Sequence, residues 1–458
     1  LTAASPKSWR NRSPGDLSVV FPEVHATGAE PALAATHAAA RSWGRTPLAE
    51  RIARLRAAQA ALIGAKDKLA HGIALETGKP LAEALGEVGA VIAKIDLTVA
   101  DAESHFAERT VSDGPHPAKI RRLPRGAAVV IAPFNFPLHL GHGASVAHLL
   151  AGNPVIFKPS PLAANVAAHY SDLMSDALPP GVFTLVQGGA EEAMALARDP
   201  RTRAVCFTGS VPAGRALAVE LAADFSKELA LELGGRNAAI ICADADLTLA
   251  AEAVADGLCL TCGQRCNATS RALVDLRVAG DFETRLLASL QRYQPGDPLR
   301  AETRLGPLIG RAAVERYADI TREDAVWLQP GAVVGTADGK RGHYVKPAVR
   351  RGFTDTATEP FAPVLELETF GSLDDAVARA NATPFGLAAS VFTNDETLFA
   401  KLAGELHVGN IYANLPTTFS PGTLPFGGFG LSGNGRPGGR GFIRFTTHEQ
   451  AVQWRNWP

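Results

Sequence analysis

Apolar positions recur at spacings of three and four through PLAERIARLRAAQAALIGAKDKLAHGIALETGKPLAEALGEVGAVIAKIDLTVADAE, which predicts helices that pause at Gly78-Lys79-Pro80. In RTVSDGPHPAKIRRLPRGAAVVIAP the pattern shortens to extended runs around an Asp113-Gly114 turn signal, predicting a hairpin appended to the core. From Pro154 short apolar runs alternate with helical ones: PVIFK, ANVAAHYSDLMSDAL, GVFTLVQ, EEAMALAR, RAVCFTG, AGRALAVELAAD, ELALELGG, NAAIICAD. That alternation predicts a parallel sheet with helices on both faces, and such sheets bind ligands at the carboxyl ends of their strands. A second helix and strand series follows Leu276 to about Leu431, broken at QPGDP and at the glycine-rich TLPFGGFGLSGNGRPGGRGF.

The 458 residues are 46% hydrophobic and 20% charged, a globular composition with length for about two to four domains. A formal net charge of -1 excludes a general basic field for nucleic acid or an anionic membrane. Lys119, Arg121, Arg122 and Arg125 form a local basic patch, read as a protected strand edge. Five cysteines in so long a chain are no disulfide framework, and the first twenty residues carry no apolar signal core, so a reducing, cytoplasmic compartment is expected. The chain opens on Leu1, which leaves room for a processed N-terminus. Gly126 to Phe157 lacks Asp, Glu, Lys and Arg, but Pro133, Asn135, Pro137, three histidines and Asn153 interrupt it. It is read as buried strand, loop and helix, not a membrane span.

Three cysteines crowd LCLTCGQRCNATSR. Asp246 is a cap candidate for a helix running to Gly263, which would carry Cys259 and Cys262 as small core residues, while Cys266 lies beyond its end among Gln264, Arg265 and Asn267. No histidine lies between His169 and His343, so a zinc set is incomplete and no metal is expected. Cys266 is a nucleophile candidate, because a thiolate needs partial exposure. Glu232, in ALELGGRN, is a carboxylate at the end of an apolar strand, either raised in pKa toward a general base or simply in water. Asn135, in APFNFPL, could donate an amide to an oxyanion or only bond its own turn. No GxGxxG occurs, and FTGS offers only a Gly-Ser pair before a helix N-terminus.

Together SPGDLSVVFPEV, ALETGKPLAEA, APFNFPL, LLAGNPVIFKPS, FTGS, LELGGRN, GQRC, EPFAPVLEL, ANATPFGLAAS and LPFGGFGLSGNGR resemble the aldehyde dehydrogenase superfamily over essentially the whole chain. HLLAGN, GQRCNA and SGNGRP are similar to its N-succinylglutamate semialdehyde dehydrogenase branch. The resemblance implies an α/β fold: a doubly wound dinucleotide-binding domain (1–104 and 125–233), an α/β catalytic domain (234–432), and a β-hairpin oligomerisation element (105–124 and 433–458) that pairs with RFTTHEQAVQW in homodimers or homotetramers. It also implies NAD(P)-dependent oxidation of an aldehyde to an acid, with Cys266 as nucleophile, Asn135 at the oxyanion and Glu232 as base. Cofactor contacts fall by the same resemblance on Pro133, Phe134, Lys158, Ser160, Gly209, Ser210, Leu233, Glu359 and Phe361, with NAD or NADP as cofactor. Pro161 stands where many NAD-specific relatives have a glutamate, which removes a charge that would repel a 2′-phosphate and predicts use of both. For a dicarboxylate semialdehyde the motif-adjacent cations are Arg265 and Arg436, whereas NLPTTFSPGTLPFGG favours a medium-chain aliphatic or aromatic aldehyde. A CoA-acylating relative would typically lack the Glu232 carboxylate, and a catalytically silent homologue would not be expected to keep Cys266, Glu232 and Asn135 together.

Overall fold

Alternation along single strands separates the cores on the two faces of each sheet. In a computed structural model describing residues 7–107, 109–111, 116–353 and 357–455, Val130 of the Ala127–Ile131 strand packs with Phe157, Phe183 and Trp43, while Val129 and Ile131 pack with Ile156, Val205 and Phe207. Side chains alternate faces with period two, so a strand buried on both sides reads as a continuous apolar run. Five parallel strands build this sheet in the order Phe183–Leu185, Val155–Lys158, Ala127–Ile131, Thr202–Thr208, Glu228–Glu232. Strand order reverses between Ala127–Ile131 and Thr202–Thr208, and a ligand crevice opens at the carboxyl ends beside such a reversal.

The predicted helices of the N-terminal third are Glu30–Arg45, Leu48–Gly64, Lys66–Thr77 and Leu81–Phe106. The pause is made by Gly78 at φ 77°, where an added Cβ would lie 2.6 Å from Pro307, and by Pro80 before the next helix. The uncharged stretch folds as strand, loop and the His139–Ala151 helix, which is buried from Gly141 onward. Among the described residues no helix is long and apolar enough to cross a membrane. The opening SPGDLSVVFPEV contributes little strand, only a bridge from Val20 to Arg12 and a two-residue pairing of Val24–His25 with Ser8–Trp9.

A second sheet has seven strands ordered Trp327–Gln329, Ala348–Arg351, Val364–Phe370, Thr269–Asp275, Asn237–Ile241, Ala388–Phe392, Asn410–Ala413. All its pairings are parallel except at the Trp327–Gln329 edge. Ala239, Ile241 and Val274 face one core, and Ala238, Ile240 and Leu273 the other. A third, antiparallel sheet joins Thr447–Gln453, Ala118–Pro124 and Arg109–Val111 within the one chain. Asp113-Gly114 lies outside the described residues. The basic patch sits at this sheet, where Arg122 meets Glu449 at 3.2 Å and Arg125 meets Glu228 at 3.0 Å.

Candidate active site

The chain leaves the carboxyl end of Glu228–Glu232 and enters the amino end of Asn237–Ile241 through Leu233, Gly234, Gly235 and Arg236. The carboxyl-end expectation therefore holds for only one sheet. Asn135, Lys158, Ser160, Gly209, Ser210 and Glu232 follow or end strands of the five-stranded sheet, whereas Asn237, Cys266 and Glu359 precede or begin strands of the seven-stranded sheet. The reason is connectivity, since so short a link joins the carboxyl edge of one sheet to the amino edge of the next.

Asp246 caps its helix as expected, accepting from the N–H groups of Thr248 and Leu249. The helix ends earlier than the periodicity predicts, at Cys259, and Cys262 is not in regular helix. Thr261 and Cys262 adopt left-handed backbone at φ 53° and 55° inside a short 3-10 turn. Consecutive non-glycine residues in that region cost roughly 1–3 kcal/mol each and persist only where neighbours over-determine them. The turn delivers Cys266, which keeps part of its surface open, while Cys206, Cys242, Cys259 and Cys262 are buried.

Burial and the nearby carboxylates Glu232 and Glu359 hold the Cys266 thiol well above its ordinary pKa, opposed by the Asn267 N–H and the Arg265 charge. Glu232 is 1% exposed, and among the described residues neither carboxylate oxygen has a hydrogen-bond partner. Burial pushes it up to about 8, with Arg436 pulling the other way. Of the two sequence readings of Glu232, the solvated one is thus excluded. Asn135 is buried, and its Nδ2 donates to the Gln264 carbonyl at 2.8 Å, tying its loop to that of Cys266. A primary amide carries a second N–H for another acceptor.

Gly234 and Gly235 permit this convergence, since a Cβ would lie 2.2 Å from Glu359 Oε2 at the first and 2.5 Å from the Cys266 carbonyl at the second. Glu359 accepts from the Gly235 N–H at 3.2 Å, and burial pushes its carboxyl up to about 8 although part of the residue reaches solvent. Sequence reasoning overlooked Asn237, the last residue of the quoted LELGGRN. Its Nδ2 donates to the carbonyls of Cys266 at 2.9 Å and Ala268 at 2.8 Å, and its Oδ1 accepts from Ala388 N–H.

The expected dinucleotide contacts fit such a group. Ser210 stands at the N-cap position of the Val211–Leu221 helix without a side-chain cap bond, next to Gly209, at the strand-order reversal, where helix N–H groups favour a pyrophosphate. Pro133 and Phe134 follow the other strand of the reversal, and Phe134 meets Phe361 edge-on at 6.0 Å between ring centres. Lys158 is buried, donates to the Gly188 and Pro159 carbonyls at 2.6 and 3.1 Å, and is drawn down to about 8 by burial, leaving one further proton for a ribose oxygen. Ser160 accepts from Leu162 N–H, and Leu233 is buried, its N–H bonded to the Ser432 carbonyl. Pro161 starts a 3-10 turn, and its carbonyl accepts from Trp9 Nε1 and Asn11 Nδ2.

Arg265 departs from expectation. Its guanidinium is paired with Glu83 at 2.7 Å and lies 5.0 Å over the Phe136 ring, so it is already spent on the protein. Arg436 stacks 5.3 Å over Phe429 and, with Arg122, Arg440 and Glu449, lines an open groove of about 1370 Å³ that neither Cys266 nor Glu232 lines.

A profile described as the aldehyde dehydrogenase family matches residues 3–452. An N-succinylglutamate 5-semialdehyde dehydrogenase of Caulobacter vibrioides is 36% identical over 431 residues, covering 92% of this chain and 91% of that protein. The 4-trimethylaminobutyraldehyde dehydrogenase of Homo sapiens is 32% identical, covering 91% and 86%. A solved NAD-dependent aldehyde dehydrogenase from Sinorhizobium meliloti superposes with a TM-score of 0.92 at 31% identity, over 98% of this chain and 92% of that one. The full-length match in sequence and fold agrees with the chemistry assembled between the two sheets: the chain belongs to the aldehyde dehydrogenase family and is an NAD(P)-dependent oxidoreductase of aldehydes.

Proposed function

We propose that Cys266, Glu232 and Asn135 carry the oxidation of an aldehyde to its carboxylic acid. The observation that supports this most is the buried carboxyl of Glu232, without a hydrogen-bond partner among the described residues and close enough to Cys266 to raise its thiol. Cys266, part of whose surface is open, gives its thiol proton to solvent water and its thiolate attacks the aldehyde carbon. The resulting oxyanion accepts from the second amide N–H of Asn135 and the backbone N–H of Cys266. Lys158, Ser210 and Glu359 would hold NAD or NADP, which would supply the hydride acceptor for the carbon bonded to Cys266. Glu232 then takes a proton from the water that attacks the Cys266 thioester, and the acid leaves as the thiolate is restored. The Glu232 carboxyl at this position supports hydrolysis over transfer to CoA.

Cys266→Ala should show no aldehyde oxidation, whereas Glu232→Gln should keep a first burst of reduced cofactor and lose about a hundredfold in steady turnover, within general-base effects. Stopped-flow absorbance separates the two phases. Wild-type turnover in Cys266→Ala would exclude it as the nucleophile, and an unchanged steady rate in Glu232→Gln would exclude it as the base.

For the aldehyde, the likeness to the Caulobacter vibrioides enzyme supports N-succinylglutamate semialdehyde. A second reading, a medium-chain apolar aldehyde, is favoured by the engagement of Arg265 with Glu83 and by exposed Leu415 and Phe419 beyond the Asn410–Ala413 strand. Specificity constants for N-succinylglutamate semialdehyde and hexanal decide between them, the larger kcat/KM naming the class.

A further inference from the structure

The strained turn before Cys266 is held from outside its own sheet. Glu83, on the Leu81–Phe106 helix, accepts the Thr261 N–H at 3.1 Å and the Thr261 hydroxyl at 2.7 Å. The same carboxylate pairs with Arg265 Nη2 at 2.7 Å, and Arg265 Nε closes the triangle on Thr261 Oγ1 at 3.0 Å. All three are shielded, with Glu83 and Arg265 side chains 12% and 14% exposed and Thr261 at 5%. Thr261 is β-branched, the residue type least suited to positive φ, so its conformation depends on these bonds.

One turn along the same helix face, Glu87 accepts the N–H groups of Leu138 and His139, both at 3.1 Å, and is ion-paired with buried Lys79. Phe136, next to Asn135, has the Lys79 ammonium 3.8 Å and the Arg265 guanidinium 5.0 Å from its ring centre. A single helix face thus holds both loops that must converge on one carbonyl carbon.

We propose that Glu83 is a positioning residue: it clamps the Thr261–Cys262 turn and, through Arg265, sets the Cys266 loop against the Asn135 loop. Its effect falls on acylation of the thiol and leaves cofactor affinity alone. The inference rests on Cys266 as nucleophile.

The test needs neither cofactor nor a known aldehyde. p-Nitrophenyl acetate acylates a reactive thiol, releases p-nitrophenol, and forms an oxyanion at the same place. Glu83→Gln and Arg265→Met should each slow acylation about ten- to hundredfold, as ångström-scale misplacement does. Their double variant should be no slower than the slower single, because both remove one linkage. The Kd for NAD, by calorimetry, should stay within about twofold and the native fold should persist, a split that general destabilisation would not give. Wild-type acylation in Glu83→Gln, or full multiplication of the two single effects, overturns the proposal. If Glu83→Gln does not yield folded protein, Arg265→Lys replaces it: this keeps the charge without the fork and should still acylate about tenfold more slowly, and a wild-type rate there overturns the proposal equally. Acylation that survives in Cys266→Ala would instead overturn the reading of the nucleophile and leave the role of Glu83 without its object.

Discussion

Glu232 shows how one buried group couples chemistry to pH. Its carboxyl titrates at about 8 in the folded chain against 4.5 for the unperturbed group. Between those values the native state keeps a proton that the unfolded state has released, so this group's contribution to stability falls as pH rises from about 4.5 through 8. Glutamine loses nothing over that range. The gap in Tm between Glu232→Gln and wild type should therefore widen in the variant's favour from pH 6 to pH 9, measured by calorimetry, and a gap independent of pH would place the buried proton elsewhere. Steady turnover of the wild type should rise across about 8 as the base ionises. The candidates Cys266, Glu232 and Asn135 were legible because each interrupts an apolar or turn-forming run with a reactive side chain. Arg265 was not, because nothing in GQRC says that Glu83 will claim its charge.

The Leu81–Phe106 helix was read from its periodicity, but its polar positions were not. Glu83, Glu87, Lys94 and Asp101 all make tertiary bonds: Lys94 donates to the Gly438 and Gly439 carbonyls at 3.0 and 3.3 Å, and Asp101 holds Arg440 at 2.8 Å and the Gly441 N–H at 3.1 Å. The glycine-rich segment so held pairs back on the Glu228–Glu232 strand, where Leu231 N–H donates to Asn434 and Gly433 bridges Glu232. Periodicity reports which side of a helix avoids water, and charged residues on that side look like exceptions until their partners arrive from elsewhere in the chain. For the same reason the helix bearing Cys259 could be started from Asp246 but not ended. Thr261 and Cys262 carry no glycine or proline signal, and their left-handed backbone is imposed by Glu83 and Gln264.

Taken whole, the molecule carries two twisted sheets with the candidate site between them and a small third sheet whose edge strand, Thr447–Gln453, is largely exposed. That strand pairs with Ala118–Pro124 of its own chain, so the hairpin needs no second subunit to complete the pairing. An exposed seven-residue edge is a template for association, and we expect it to serve a homodimer or homotetramer. Light scattering should give two or four times the chain mass for the full protein, and a chain ending at Thr446 should lose that association. A full chain that stays monomeric at micromolar concentration would remove the role of this edge.

The amino-acid sequence by itself determined the alternation of strand and helix, the parallel and doubly covered character of the sheet that follows Pro154, and the reactive residue types at its breaks. These are local consequences of period, propensity and burial, and each acts within a few residues. Tertiary structure alone decided that Glu232 has no hydrogen-bond partner among the described residues, that Arg265 is ion-paired with Glu83, that Asn135 is tied to Gln264, and that the second sheet offers its amino edge to the site. Each of those depends on residues far apart in the chain, as Glu83 and Arg265 are, and hydrophobic pattern is blind to which distant polar groups will be buried together.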